Sequence, residues 1–256
     1  MNTQPTADDG PQATDQRQLY ILYIDRYHLD DSLFLQALAR MLAVAGLSRP
    51  ACLLVHGSGE QAERRLEGEG FDVKREGRVL VAGTAAEQAI VERAVRESNQ
   101  RLVSVLTNSV VHAVGLQGAD RGLVQVHEDG AIGVGKVGWI RDLAQKRAVP
   151  VISASSRIRE TGAVVEADAA EVAVRLAETC GRDEATVVFF TKGGKPGIPQ
   201  GEGTAEEAGL SALEGTDLLP DLDALVYAVE AGVRVLLSGV PGFMTARGAA
   251  GTQIVT

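Results

Sequence analysis

His56-Gly57-Ser58-Gly59 is the stretch of this chain best suited to holding an anion. It follows a short apolar run, Cys52-Leu53-Leu54-Val55, and precedes a helical pattern that opens at Glu60. Small residues between a strand and a helix N-terminus let backbone N–H groups approach an oxygen, and the helix dipole favours negative charge there. The same residues serve equally as a tight turn with no ligand. A second candidate is Asp168, a carboxylate opening a helical pattern just after the Thr161-Gly162 turn. It is either a site acid or a charge that stabilises the first helical turn. The third is Thr191-Lys192-Gly193-Gly194, with Lys195 beyond it. Lysines among glycines after an apolar strand suit the carboxyl edge where open α/β sheets bind ligands, and suit a solvated loop as well.

Other spacings fall short of their chemistry. Gly130 to Lys136 has phosphate-loop spacing, but Val137 stands where the magnesium-binding hydroxyl belongs, and Gly133, Gly135 and Gly138 spell GxGxxG. The pattern predicts a glycine-rich hairpin there with no helix behind it. His28, His56, His112 and His127 show no metal spacing and read as structural or exposed residues. No GxSxG occurs, so hydrolase chemistry has little support. Cys52 and Cys180 lie in or beside apolar stretches and read as buried free thiols. No metal site is assigned.

The elements that must position these groups alternate in type. Strands are predicted at Leu19–Ile24, Ala51–His56, Val73–Ala82 (turning at Gly77-Arg78), His112–Leu116, Val149–Ala154, Ala185–Thr191, Val233–Leu237 and Thr252–Val255. Helices are predicted from Asp30 or Asp31 to Gly46, over Glu60–Leu66, over Ala85–Leu106 with a break near Asn99, over Ala167–Cys180 and over Leu219–Glu230. Asp129-Gly130 is a hairpin turn signal between Leu123–His127 and Ile132–Val137. Continuous apolar strands alternating with helices predict an α/β fold, a mostly parallel sheet covered on both faces.

Composition agrees. The 256 residues are 45% hydrophobic but only 4% aromatic, which suits parallel strands under helices better than a β-sandwich. The net charge of −9, with no basic stripe, argues against nucleic acid as a partner. No run approaches the ~18 apolar residues of a membrane span. Met1–Gln18 lacks the cationic start and apolar centre of a signal peptide and reads as a polar, disordered tail, so a cytoplasmic location is expected.

Taken in order, these pieces resemble the amino-acid kinase family, and acetylglutamate kinases in particular, from about Leu19 to Thr256. LLVHGSG resembles the family's VHGGG turn, and AVGLQGAD (Ala113–Asp120) its AVGLSGxD segment. VGWI followed by VPVIS resembles the VGxV hairpin and IPVI strand. VVEADAAEVAVRLA (Val164–Ala177) resembles NxNADxAAxxxAxxL, and AVEAGVRVLL with GTQI resembles the final helix, strand and GTxI ending.

The resemblance implies a three-layer αβα sandwich, with about 19–165 as an acyl-amino-acid lobe carrying the dimer surface and about 166–256 as a nucleotide lobe. It implies ATP-dependent phosphorylation of the γ-carboxylate of N-acetylglutamate or a related N-acyl amino acid, in arginine biosynthesis, with ATP and Mg2+ as cofactors if the chain is active. Gly57, Ser58, Gly59 and Arg78 would meet the substrate. Asp168 would be the catalytic carboxylate that holds the family's two lysines, and Thr191, Lys192, Gly193 and Gly194 would meet the nucleotide. Both lysines are replaced: the first position falls on Tyr23 in ILYIDR and the second on Asp221 in LLPD. GxRVT becomes Glu76-Gly77-Arg78-Val79-Leu80, and the two asparagines of NxNAD become Val164 and Glu166. Two functions stay open: a divergent kinase recruiting Arg26 or Lys192, and a non-catalytic binding or regulatory paralogue. The resemblance also implies a homodimer through the Ala85–Leu106 helix. The polar Met1–Gln18 segment argues against the N-terminal helix of arginine-inhibited hexamers.

Overall fold

A computed structural model describes residues 18–46, 49–241, 243–245 and 248–256. The polar tail expected over Met1–Gln18, and the absence of a hexamer read from it, lie outside the described residues except for Gln18.

Val73–Ala82 forms a separate hairpin, while seven other strands expected from the sequence and an eighth that was not, Glu207–Gly209, build one eight-stranded sheet. Its order is Glu207–Gly209, Thr252–Val255, Arg234–Ser238, Ala185–Phe190, Leu19–Ile24, Ala51–His56, Val149–Ser153 and Ala113–Gln117. Neighbours are parallel except Arg234–Ser238 with Thr252–Val255. Alternate residues of each central strand enter different cores. Leu19, Ile21, Tyr23, Leu53 and Val55 pack with the helices Gly138–Gln145, Ala169–Cys180 and Leu222–Glu230. Leu22, Ile24, Cys52 and Leu54 pack with Ser32–Ala45 and Ala85–Asn108. Burial on both faces is why the strands show no alternation in sequence. The architecture is the expected three-layer α/β sandwich with a mostly parallel sheet, and Cys52 and Cys180 are buried free thiols.

A four-stranded sheet runs Val164–Glu166, Ser155–Ile158, Val124–Val126, Ile132–Val134. The Asp129-Gly130 turn is present, with Gly130 at φ 82°, and the Asp129 carboxylate accepts the Ala131 N–H at 3.0 Å. The Thr161-Gly162 turn joins the antiparallel pair that delivers Glu166.

Two expectations need correction, and one short element is new. A helix does follow the glycine-rich hairpin, at Gly138–Gln145. Ile140 and Ala144 are its buried positions, too few in eight residues to announce a helix against the glycines before it. The long helix runs unbroken from Ala85 to Asn108. Asn99 does not interrupt it because its amide turns inward to bond the sheet. A five-residue helix, Arg26–Asp30, went unforeseen; Asp25 caps it, accepting the His28 N–H at 2.9 Å. Among the described residues no helix is long and apolar enough to cross a membrane.

Candidate functional site

A cavity of about 420 Å³ opens at the carboxyl ends of Leu19–Ile24 and Ala51–His56, where doubly wound sheets place ligands. Gly57, Ser58, Gly59, Arg78 and Asp168 all line it, as do Tyr23, Glu166 and Asp221. The fold therefore gathers five of the expected site residues from three separate segments. A second cavity of about 510 Å³, between the long helix and the strand Ala113–Gln117, holds none of them.

Within the glycine turn the anion acceptors come from the chain itself. Ser58 donates its backbone N–H to Glu166 Oε1 at 2.6 Å and its hydroxyl to Glu166 Oε2 at 2.8 Å. A Cβ on Gly57 would stand 2.6 Å from Glu166 Oε1, so glycine is what admits the carboxylate. Two residues on, Glu60 donates its N–H to Asp30 Oδ2 at 2.7 Å. Gly59 makes that turn at φ 65°. Burial pushes the Glu166 carboxyl upward in pKa, against the two Ser58 bonds that favour its charge.

Behind the turn lies a buried polar network. His56 is fully buried, with Nδ1 2.7 Å from the Gly57 carbonyl and Nε2 3.0 Å from Asn99 Nδ2. A carbonyl only accepts, so Nδ1 carries the proton and Nε2 accepts from Asn99. Asn99 donates also to the Val151 carbonyl at 2.9 Å, and the Ser98 hydroxyl to the Ser58 carbonyl at 3.1 Å. The long helix thus holds the glycine turn in place. Burial lowers the His56 pKa to about 4.

At the other wall, Arg78 and Asp168 form an ion pair. Arg78 reaches Asp168 Oδ2 with Nε at 2.8 Å and Nη2 at 2.7 Å. Asp168 Oδ1 caps its helix by accepting the Ala170 and Glu171 N–H groups at 2.9 and 3.4 Å. The expected substrate-gripping arginine is therefore engaged by the expected catalytic acid. Beside them the Tyr23 hydroxyl donates to Asp221 Oδ2 at 3.2 Å, and Asp221 Oδ1 caps the last helix through the Ala224 N–H at 3.0 Å. Burial raises the pKa of Asp221, and raises that of Tyr23 well above its usual range, helped by Asp221, Asp25 and Asp168. With the two side chains 28% and 14% exposed, Arg78→Ala should cost about 1–2 kcal/mol in urea unfolding. Arg78→Lys should recover less than half, since an ammonium cannot present two fixed N–H donors.

The cations expected as substitutes, Arg26 and Lys192, are already paired with carboxylates. Arg26 and Arg75 both pair with Glu63, and Lys192 pairs with Asp217. Thr191, Lys192, Gly193 and Gly194 do not line the cavity. Their loop closes on itself: the Thr191 hydroxyl donates to the Lys195 carbonyl at 2.6 Å and the Lys192 N–H to the Leu218 carbonyl at 2.8 Å. His28 links it to the cavity wall, with Nδ1 2.7 Å from Asp25 Oδ2 and Nε2 3.3 Å from the Thr191 carbonyl. Glu166, Asp168 and Asp221 each have both oxygens hydrogen-bonded to protein donors. Among the described residues no group of three His, Cys, Asp or Glu side chains could hold a metal ion.

Sequence reasoning missed the roles of Asp30, Ser98, Asn99 and the Asp25–His28 pair. One signal was present: Ser98 and Asn99 share helical spacing with Val95 and Leu102, and polar residues on an apolar face need buried partners.

Residues 27–193 match the amino acid kinase family. The chain is 29% identical over 265 residues to the acetylglutamate kinase of Roseiflexus sp. (strain RS-1), covering 96% of this chain and 97% of that enzyme. It is 30% identical over 232 residues to the acetylglutamate kinase of Roseiflexus castenholzii (strain DSM 13941 / HLO8), covering 84% and 86%. Among solved structures, the N-acetylglutamate synthase of Neisseria gonorrhoeae, complexed with coenzyme A and N-acetyl-glutamate, superposes with a TM-score of 0.67 at 17% identity. That match covers 94% of this chain and 60% of the synthase, and at such identity it speaks for the fold alone. Sequence and fold agree that this chain belongs to the amino acid kinase family, among proteins like the acetylglutamate kinases.

Proposed function

We propose that this chain is a ligand-binding member of the family that holds a small N-acyl amino acid beside the glycine turn without transferring a phosphoryl group to it. The observation that carries this reading is the 3.2 Å hydrogen bond from the Tyr23 hydroxyl to Asp221. The resemblance assigns the family's two lysines to these positions, and here the two side chains satisfy each other. Phosphoryl transfer depends on preorganised positive charge at the equatorial and leaving oxygens. Of the three arginines lining the cavity, Arg26 and Arg75 face Glu63 and Arg78 faces Asp168. Losing one electrostatic donor of this kind costs ~10²–10³ in rate, so losing two leaves turnover ~10⁴–10⁶ below that of a site with both.

The kinase reading draws on the 29% identity to an acetylglutamate kinase along nearly the whole chain. It requires Arg26, already at the cavity, to leave Glu63, or Lys192 to leave Asp217 and turn toward the cavity, with ATP and Mg2+ supplied. Calorimetric titration with N-acetyl-L-glutamate and N-acetyl-L-glutamine, beside a phosphoryl-transfer assay with ATP and Mg2+, separates the two. The expected result is saturable binding of an N-acyl amino acid and no acyl phosphate. Turnover that Asp168→Ala abolishes would establish the kinase instead.

A further inference from the structure

We propose that Glu166 is a built-in occupant of the glycine turn, excluding any external carboxylate or phosphate from it, so that a ligand of this cavity presents an uncharged group there. This goes beyond the reading above, which leaves the ligand's charge open. The case rests on what already occupies the Ser58 donors at the centre of the turn. Both donors of Ser58, which is 2% exposed, end on the two oxygens of one carboxylate, at 2.6 and 2.8 Å. The neighbouring amide, Glu60 N–H, ends on Asp30 at 2.7 Å. The position beside Gly57 that a Cβ would need is taken by Glu166 Oε1.

Nor is Glu166 delivered by a loose loop. It ends the strand Val164–Glu166, in register opposite Ser155, and the next residue is tied by its N–H to the Ala154 carbonyl at 2.9 Å. Among the described residues Ser58 alone donates a hydrogen bond to its carboxylate; Arg75 acts on it only through space. An incoming anion would find both Ser58 donors engaged and a like charge in place, which both geometry and Coulomb repulsion oppose. An N-acyl amino acid whose side chain carries no acid meets neither obstacle when it presents that side chain to the turn and keeps its α-carboxylate away from it.

Inorganic phosphate is the direct probe, because it needs only the turn and is indifferent to the identity of the natural ligand. Wild-type protein should show no saturable binding of millimolar phosphate, and its Ser58 amide resonance should not move during the titration. Glu166→Ala should bind phosphate and N-acetyl-L-glutamate at least tenfold more tightly than wild type. Glu166→Gln keeps the volume and an acceptor for the Ser58 N–H, so it should gain less than threefold for phosphate. A saturable Ser58 shift in the wild type overturns the proposal whether or not the variants fold. So does an alanine variant that melts like wild type yet gains nothing, or a glutamine variant that gains as much as alanine. Failure of both N-acyl amino acids to bind wild type would instead count against the ligand-binding reading and leave the phosphate result to be judged separately.

Discussion

Replacing Asn99 by leucine should lower the unfolding free energy by about 2–4 kcal/mol, although Asn99 does not line the glycine-turn cavity. The substitution removes two buried donors at once. His56 Nε2 loses its partner at 3.0 Å and the Val151 carbonyl its partner at 2.9 Å. Each stranded acceptor costs about 1–3 kcal/mol when water cannot replace the lost donor. His56 then has one hold on the turn, through Gly57, instead of lying between the turn and the helix. Asn99→Asp should be as damaging, because a carboxylate cannot donate to either acceptor. Urea unfolding with an unchanged m-value checks the claim. A loss below about 1 kcal/mol would mean that water enters and that the long helix does not hold the turn.

Acidification should weaken the fold through the same histidine. The folded-state pKa of His56 is lowered to about 4 from a usual 6.5, because burial disfavours the imidazolium. Between those values the unfolded chain binds the extra proton and the folded chain does not, so stability rises with pH across that window. The contribution is fully present above pH 6.5 and is lost as pH falls toward 4, a span worth about 3 kcal/mol. Glu166 acts with the opposite sign: its raised pKa makes the folded state the better proton binder above the carboxylate's usual value. The clean measurement is therefore a difference. Urea midpoints from pH 7 to pH 4 should fall more steeply for the wild type than for His56→Gln. Parallel curves would place water or a charge beside the ring.

The candidate site was legible in the sequence to different depths. The glycine turn could be read because it rests on local facts: a buried strand, three small residues and a helix start. Asp168 could be read as a helix cap for the same reason, and it does cap Ala169–Cys180. Arg78 came only from the resemblance, and the structure pairs it with Asp168. Asn99 was misread as a break, since propensity counts asparagine as a weak helix former, whereas buried acceptors on the sheet override that preference. The Gly138–Gln145 helix was missed because it is short and follows glycines that announce a hairpin.

The sequence by itself determined the layering: the long apolar strands, the longer helices, and that the sheet is covered on both sides. Such features repeat at intervals of two to four residues, so a reader of the chain sees them directly. Only the tertiary structure decided which charge meets which. Arg78 and Asp168 are 90 positions apart, Ser58 and Glu166 are 108, and Tyr23 and Asp221 are 198. Those pairs follow from strand order, which brings distant chain segments to one edge of the sheet, and no local spacing encodes it. That edge is where a list of acids and arginines became a cavity in which Ser58 and Arg78 already hold carboxylates of the chain itself.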